Sequence, residues 1–297
     1  MTAPATGPVI AGVDGGQAGR DATVLGRWAA DVLGVPLVVA VVHPAPAALG
    51  SGRIDAEWVA DRHRAAEQVL DGAREFLQDP AGPVSAGPVE YRMVASSSAA
   101  HGLHDLAEEL AAAAIVVGSG RAAPKQRLFA GSTAERLLAG SVCPVAVAPA
   151  ELEPPGALGR IGVAYIDTPD GRAALDEAAR LARRTRTPIR LYTVVVAADA
   201  AKPFLIGDDA ERAFLHTARE TFEESLAKAA ESVPDLEVDW EIRSGDVVET
   251  LSELDDVDVL FCGSRGYGPA RRVLLGGVST RLVRGARRPL VLVPRSG

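Results

Sequence analysis

The stretch FCGSRGYGPARRVLLGGVSTRL, residues 261–282, joins an apolar run to an amphipathic one and holds five glycines. Glycine loses more backbone entropy on folding than any other residue, so a cluster of glycines indicates a tight turn or a ligand that approaches the main chain. Strand-like residues precede the cluster and helix-like residues follow it. The stretch therefore predicts a loop between a buried strand and the start of a helix.

The stretch has a counterpart earlier in the chain, GSGRAAPKQRLFAGST at residues 118–133. Three landmarks recur at a constant offset of 145 residues: Gly118, Gly131 and Pro144 match Gly263, Gly276 and Pro289. Such a match indicates a duplicated domain. The copies are separated by a Pro- and Gly-rich connector, ELEPPGALG at residues 151–159. We therefore expect two domains, at residues 7–150 and 159–297.

Short apolar runs alternate with helical patterns along both copies. VIAGV at Val9–Val13 predicts the first strand, and the helical pattern after it ends at Gly34. Strands that are near-continuous Val, Ile and Leu runs are typical of parallel sheets covered by helices on both faces. Right-handed crossovers then give each copy a doubly wound layer. The expected fold class is α/β, with two tandem doubly wound five-stranded parallel-sheet domains.

The bulk composition excludes several classes of protein. A formal net charge of −8 argues against a general binder of nucleic acid or of membrane surfaces. No stretch approaches the roughly 20 apolar residues of a membrane span, and the N-terminus lacks the pattern of a signal peptide. We therefore expect a cytoplasmic protein with no nucleic-acid or membrane partner. Cys143 and Cys262 are expected to be buried thiols rather than parts of a disulfide framework.

The glycine-rich loops lie where a ligand site is expected. Ligands of doubly wound sheets bind beyond the carboxyl ends of the strands, where the strand order reverses. Both loops follow the fourth strand of their copy and return to the start of a helix, whose unpaired N–H groups accept phosphates. The sequence contains neither the dinucleotide nor the Walker-type glycine motif. Asp14, at the end of the first strand, is a candidate acceptor for a ribose or a base, with turn formation as the alternative.

The motifs VGSG…GST…CPVAV and CGSRGYGPARRVLLGGVSTRLV…RPLVLVP, together with the order of elements, resemble the universal stress protein family in its tandem two-domain form. The resemblance covers the chain from about Val9 to Arg295. It implies that ATP, with Mg²⁺ as an accompanying ion, binds with its adenosine over strands one, two and four. The phosphates would lie on the glycine loop, G-x2-G-x9-G-[ST]. A related branch of the family lacks this motif and does not bind ATP.

The family motif carries over to each copy only in part. In the first copy, Arg121 stands where the second glycine belongs. In the second copy, Gly277 replaces the Ser or Thr, Ile166 falls at the Asp position and Asp167 is displaced by one residue. The candidate nucleotide-binding residues are Asp14, Gly15, Val42, Gly118, Arg121, Gly131, Ser132 and Thr133 in the first copy, and Asp167, Val195, Gly263, Arg265, Gly266, Gly276, Gly277, Val278 and Ser279 in the second. We favour the second copy for the phosphate loop and the first for the Asp, which leaves one or two sites open.

Other candidate chemistry is weaker. His101 and His104 share a helix face but lack an evident third metal ligand, and Ser119 lacks the surrounding motif of a nucleophile elbow. We therefore expect no catalytic residue and no metal site. The expected function is that of a stress-response protein that binds adenine nucleotide, with ATP favoured, as a regulatory or sensing ligand. An interaction protein with degenerate pockets and a slow ATPase are the alternatives.

The last strand of each copy, PVAVAP and PLVLVP, is expected at a sheet edge, where unpaired backbone groups invite pairing. In the family such strands pair across a dimer. With two copies in one chain, we expect them to pair within the chain as a pseudo-twofold unit. A homodimer of chains and the identity of a protein partner stay open.

Overall fold

The computed structural model describes residues 7–45, 56–79, 87–120, 123–195, 208–264 and 277–294. Packing divides the chain into a first unit, Met1–Gly156, and a second unit, Ala157–Gly297. The division falls inside the Pro- and Gly-rich connector between the two sequence copies. The domain bounds 7–150 and 159–297 stay a prediction.

The first unit alternates strands and helices along the chain. Its elements are β1 (Val9–Val13), α1 (Gln17–Leu33), β2 (Leu37–Pro44), α2 (Ala56–Gln78), β3 (Val89–Ser96), α3 (Ala99–Glu109), β4 (Ala114–Gly118), α4 (Ser132–Gly140) and β5 (Val145–Ala148). Neighbouring strands are parallel, in the order β3-β2-β1-β4-β5. The order reverses at β1, which has β2 on one side and β4 on the other, so the carboxyl ends of these strands border a crevice.

The second unit repeats the same arrangement. Its elements are β6 (Ile161–Ala164), α5 (Pro169–Thr185), β7 (Ile189–Val195), α6 (Asp208–Glu231), β8 (Val238–Ser244), α7 (Val247–Ser252), β9 (Val259–Gly263), α8 (Gly277–Leu282) and β10 (Leu290–Val293). Its strands are parallel, in the order β8-β7-β6-β9-β10. The predicted fold class, two tandem doubly wound five-stranded parallel-sheet domains, is confirmed.

The apolar runs that predicted the strands form the two cores. Val9, Ile10 and Ala11 of β1 are fully buried, as is Ile161 of β6. Burying one such branched side chain stabilises a fold by about 1.5–3 kcal/mol, so the central strands anchor each sheet. The first helix ends where the sequence predicts, because Gly34 takes a left-handed φ of 63° that caps α1.

A buried carboxylate of α1 holds the start of the connector. Asp21 is 2% exposed and accepts hydrogen bonds from the backbone N–H groups of Glu151 and Leu152, both at 3.0 Å. The side-chain amide of Gln17 donates a third, at 3.0 Å. Burial raises the pKa of Asp21, and the three donors oppose that rise. Residues 151 and 152 are therefore fastened to the first unit.

Candidate functional site

A pocket of about 490 Å³ opens in the first unit at the carboxyl ends of β1, β2 and β4. Helix α2 forms one wall and the start of α4 another. The pocket lies at the switch point of the strand order, where doubly wound sheets bind ligands. Its lining includes six candidate residues of the first copy, namely Asp14, Val42, Gly118, Gly131, Ser132 and Thr133. Gly15 lies beside Asp14, and Arg121 lies outside the described residues.

Asp14 follows β1 in a turn that its own side chain helps to form. Gly15 has a φ of 79°, a left-handed conformation that glycine adopts without strain. The N–H of Gly16 donates to Asp14 Oδ1 at 2.9 Å. The turn role that the sequence left open is therefore present. Asp14 is also exposed at the pocket, and within the described residues no other donor engages it, so Oδ2 is available to a ligand.

Gly118 is required by packing between β4 and α1. A β-carbon on Gly118 would lie 2.0 Å from the carbonyl oxygen of Ala18. Because that oxygen belongs to the backbone, it cannot move aside as the end of a flexible side chain could. Gly263 has the same relationship in the second unit, where a β-carbon would lie 2.8 Å from the carbonyl oxygen of Asp170. The recurrence of these two glycines is thus explained by a close helix–strand approach, without any ligand.

The loop from Ser119 to α4 is tied down by internal hydrogen bonds. Ser119 is buried; its hydroxyl donates to the carbonyl of Ala148 at 2.8 Å and accepts from the N–H of Phe129 at 3.2 Å. Lys125 forms an ion pair with Glu151 at 2.7 Å. The Ser119 hydroxyl is therefore held by internal hydrogen bonds, and the expectation that it is no nucleophile stays a prediction. The Lys125 ammonium is engaged outside the pocket lining.

The start of α4 lines the pocket with backbone N–H groups that have no acceptor among the residues that the structure describes. Gly131 is the N-cap residue, with extended backbone at φ −78°, and the helix has no side-chain cap. Gly131, Ser132 and Thr133 all line the pocket. The first N–H groups of a helix have no intrahelical acceptor and carry partial positive charge, so this end can bind an anion.

Sequence reasoning missed the wall that α2 contributes. Arg62, Ala66 and Val69 line the pocket from one face of α2. Arg62 is the only Lys or Arg among the described lining residues, and within the described residues its guanidinium has no acceptor. Their spacing of four and three residues puts them on one helical face, which is the signal that could have found them. His43, at the end of β2, also lines the pocket.

The corresponding pocket of the second unit is far smaller, at about 60 Å³. Tyr165, Ile166 and Tyr192 are among its lining residues. Gly263, Val278 and Ser279 are the candidate residues of the second copy that also line it, and the Ser279 hydroxyl donates to the carbonyl of Gly263 at 2.9 Å.

The other candidates of the second copy fall elsewhere. Asp167 is exposed and pairs with Arg172. Val194 rather than the next residue, Val195, lines the pocket from β7. Gly277 begins α8, whereas Arg265, Gly266 and Gly276 lie outside the described residues. Among the candidates that the structure describes, more of those of the first copy than of the second lie together at one pocket.

Remaining chemistry is limited in the part of the chain that the structure describes. Those residues contain no group of three His, Cys, Asp or Glu placed to hold a metal ion. Cys143 and Cys262 are free and buried, as expected. Burial raises the pKa of the Cys143 thiol to about 11 and that of Cys262 to about 12. None of the described helices is both long and apolar enough to span a membrane.

Comparison with known proteins agrees with these features. The model of the universal stress protein family matches residues 6–149 and 158–294. Universal stress proteins of Mycobacterium tuberculosis and Mycobacterium bovis are each 26% identical to this chain over 302 residues, covering 96% of it and 99% of their own length.

Two solved structures share the fold along nearly the whole chain. A universal stress protein from Archaeoglobus fulgidus superposes with a TM-score of 0.64 at 18% identity, covering 98% of this chain and 97% of its own. A putative universal stress protein from Pseudomonas aeruginosa superposes with a TM-score of 0.62 at 14% identity, covering 98% and 94%. At these identities the likeness concerns the fold alone.

Proposed function

Because this chain belongs to the universal stress protein family, we propose that its first unit binds an adenine nucleotide, with ATP favoured, as a regulatory or sensing ligand. The observation that carries the proposal is the pocket of about 490 Å³ at the switch point of β1, β2 and β4. Its volume falls within the range of about 300–1,000 Å³ that is usual for small-molecule sites. Nucleotide-binding members of the family place ATP at this edge of the sheet.

Side chains from β2, α2 and α3 give the pocket an apolar region that could hold the adenosine. Val42, Val69 and Leu103 give the pocket an apolar lining for a base. Sites for drug-sized ligands combine such a lining with a few polar groups that fix orientation. Asp14 is the acidic side chain in the lining, and its Oδ2 would accept a hydrogen bond from a ribose hydroxyl or a base amino group.

The start of α4 and Arg62 suit the phosphates. One exposed helix end stabilises an anion by only about 0.3–1 kcal/mol, so a further cation is needed. The described cations of the glycine-rich loop do not supply it, because neither Lys125 nor Arg127 lines the pocket and Lys125 is paired with Glu151. Arg62 lines the same pocket as Ser132 and Thr133, and no described residue accepts a hydrogen bond from its guanidinium. A guanidinium binds phosphate oxygens through two parallel N–H groups.

Mg²⁺ would arrive with the nucleotide rather than in a protein cage. It keeps an octahedral shell of oxygens and in nucleotide sites is held by phosphates with one or two carboxylates. The described pocket lining offers one carboxylate, Asp14, and the proposal assigns it to the adenosine, so phosphate oxygens and water would complete the shell of the ion. The chemistry of the donor set therefore fits a Mg²⁺ ion that the phosphates hold.

The proposal assigns a cytoplasmic stress-response role, which rests on family membership. A slow ATPase that uses the same pocket is the alternative, and it would show metal-dependent turnover that Asp14→Asn abolishes. Pairing of the terminal strands within the chain, a homodimer and a protein partner stay predictions.

The test is a calorimetric titration of nucleotide-stripped, full-length protein with Mg-ATP, with Mg-GTP as the matched control for the base. Saturable heat with ATP and a weaker response to GTP would support the proposal. Protein that shows no saturable heat at millimolar ATP would contradict it. The pocket would then belong to an interaction protein of the family's other branch.

A further inference from the structure

The two units can be compared position by position through the register of their sheets. Val9 pairs with Leu37 and Ala114 in the first unit, and Ile161 pairs with Ile189 and Val259 in the second. An offset of 152 residues therefore relates β1 and β2 to β6 and β7. It matches Val13, Asp14, Ala18 and Ala40 with Tyr165, Ile166, Asp170 and Tyr192, in that order.

Two of these replacements substitute a tyrosine for a small residue on the pocket floor. Tyr165 and Tyr192 line the second pocket and are 3% and 1% exposed. The N–H of Tyr165 donates to the carbonyl of Tyr192 at 2.9 Å, and the hydroxyl of Thr193 donates to the carbonyl of Tyr165 at 2.8 Å. Two buried tyrosine rings, at the end of β6 and in β7, therefore occupy the bottom of the second pocket, and backbone hydrogen bonds join the segments that carry them. The remaining 60 Å³ has room for water rather than for an adenosine.

A third replacement changes the charge beside the end of the fourth strand. Ala18 lines the first pocket next to Gly118. In the second unit Asp170 stands there, with its Cβ 2.7 Å from the point where Gly263 would carry a β-carbon. Asp170 is 8% exposed, and its Oδ1 has no hydrogen-bond partner among the residues that the structure describes. A phosphate near that strand end would meet a carboxylate, and like charges at short range repel.

A fourth replacement removes an acceptor. Ile166 stands at the position of Asp14, and Asp167, one residue later, pairs with Arg172 outside the pocket lining. The second unit therefore differs from the first in volume, in charge and in its acceptor. All of these differences involve residues that the structure describes, outside residues 265–276.

We propose that the second unit excludes nucleotides, because Tyr165 fills its pocket and Asp170 places a carboxylate beside the end of β9, and that each chain binds one nucleotide, in the first unit. This inference rests on the proposed function of the first unit. It makes the two halves of the duplicated chain unequal, one a ligand-binding unit and the other a unit with a filled pocket.

The proposed repulsion between Asp170 and a phosphate is tested by placing an aspartate at the matching position of the first unit, Ala18. Ala18→Asp introduces the carboxylate and Ala18→Asn introduces the same bulk without charge. An acidic residue in the first turn of a helix favours folding, so the Asp variant should fold, as a melting curve checks. We expect Mg-ATP to bind Ala18→Asp about tenfold more weakly than Ala18→Asn. Equal affinities of the two variants would overturn the role of Asp170.

Stoichiometry and location are tested on the full-length wild-type protein. Calorimetry with Mg-ATP should give one equivalent per chain, and photolabelling with an azido-ATP should mark peptides of residues 7–156 alone. Two equivalents, or label within both residues 7–156 and residues 157–297, would overturn the inference and leave the proposed function standing. Complete absence of binding would defeat the proposed function, and the inference of unequal units would fall with it.

Discussion

The hydroxyl of Tyr192 donates a hydrogen bond to the carboxylate of Asp256 at 2.7 Å. Arg190 donates to the same carboxylate oxygen at 2.9 Å, and the guanidinium of Arg243 lies 5.2 Å from the centre of the Tyr192 ring. The residue that replaces Ala40 of the first unit is therefore part of an ionic network across β7 and β8. Burial raises the pKa of Asp256, but the hydrogen bonds from Tyr192 and Arg190 outweigh burial, and the net shift is downward.

This network should make the second unit sensitive to acid. Arg190 also donates two hydrogen bonds to Asp239, at 2.8 and 2.6 Å, and these lower the pKa of Asp239. A carboxylate with a lowered pKa in the folded state stabilises the fold above the ordinary Asp pKa of about 3.9. That stabilisation is lost as the pH falls through the lowered value. We expect the free energy of unfolding to start dropping near pH 5 and to go on dropping below the ordinary Asp pKa of about 3.9, and Asp239→Asn to reduce the drop. Urea unfolding at each pH measures it, and an equal drop in both proteins would refute the assignment.

Gly118→Ala tests the packing explanation of the recurring glycines. The added methyl would lie 2.0 Å from the Ala18 carbonyl oxygen, so α1 or β4 must shift. We expect the free energy of unfolding to fall by about 1–3 kcal/mol or more. The control is Gly72→Ala, because a β-carbon there meets nothing within 4 Å and Gly72 lies inside α2. That change should raise stability by about 0.8–1 kcal/mol through helix propensity. Similar stability of Gly118→Ala and wild type in urea would show that packing does not require the glycine.

Arg62→Ala tests the cation that the sequence did not indicate. Loss of a charge-assisted hydrogen bond to a phosphate should raise the Kd for Mg-ATP about tenfold or more. Adenosine, which lacks phosphates, should lose much less affinity. Arg64→Ala is the matched control, since Arg64 lies on the same helix, pairs with Asp61 and is not part of the pocket lining. Calorimetry measures all three proteins, and equal losses for Arg62→Ala and Arg64→Ala would remove Arg62 from the site.

Both thiols should resist reaction with a disulfide reagent in the native protein. The thiolate is the reactive form, and burial raises the pKa of Cys143 to about 11 and of Cys262 to about 12. At pH 8, near the ordinary thiol pKa of about 8.5, a disulfide reagent should release no colour from folded protein. In guanidinium it should report both cysteines. Rapid reaction of the folded protein would contradict the buried assignment.

The fold was largely predictable because its signals are local. Val9–Val13 and the later apolar runs are short and bounded by turn residues, and Gly34 ends α1 through its left-handed backbone. Duplication at a constant offset supplied the domain organisation. These features depend on neighbouring residues in the chain, so the sequence alone reveals them.

The site was predictable only in part because its contacts are distant in sequence. Arg62 reaches the pocket through a helix that no glycine motif marks. The reason for Gly118 is a carbonyl oxygen at Ala18, which is a hundred residues away in the chain. The tyrosines at 165 and 192 are visible in the sequence, but only the strand register shows that they replace Val13 and Ala40.

The hydrogen bonds from Glu151 and Leu152 to Asp21 decide where the chain can be divided to express the first unit alone. A chain shortened to end at residue 150 would lack the N–H groups of Glu151 and Leu152, which both reach Asp21 at 3.0 Å. Asp21, which is 2% exposed in the full chain, would keep only the Gln17 amide as a donor, and a carboxylate that loses its hydrogen bonds destabilises a fold. A chain that ends at residue 156 keeps both donors. When the two units are expressed separately, Glu151 and Leu152 should therefore stay with the first unit.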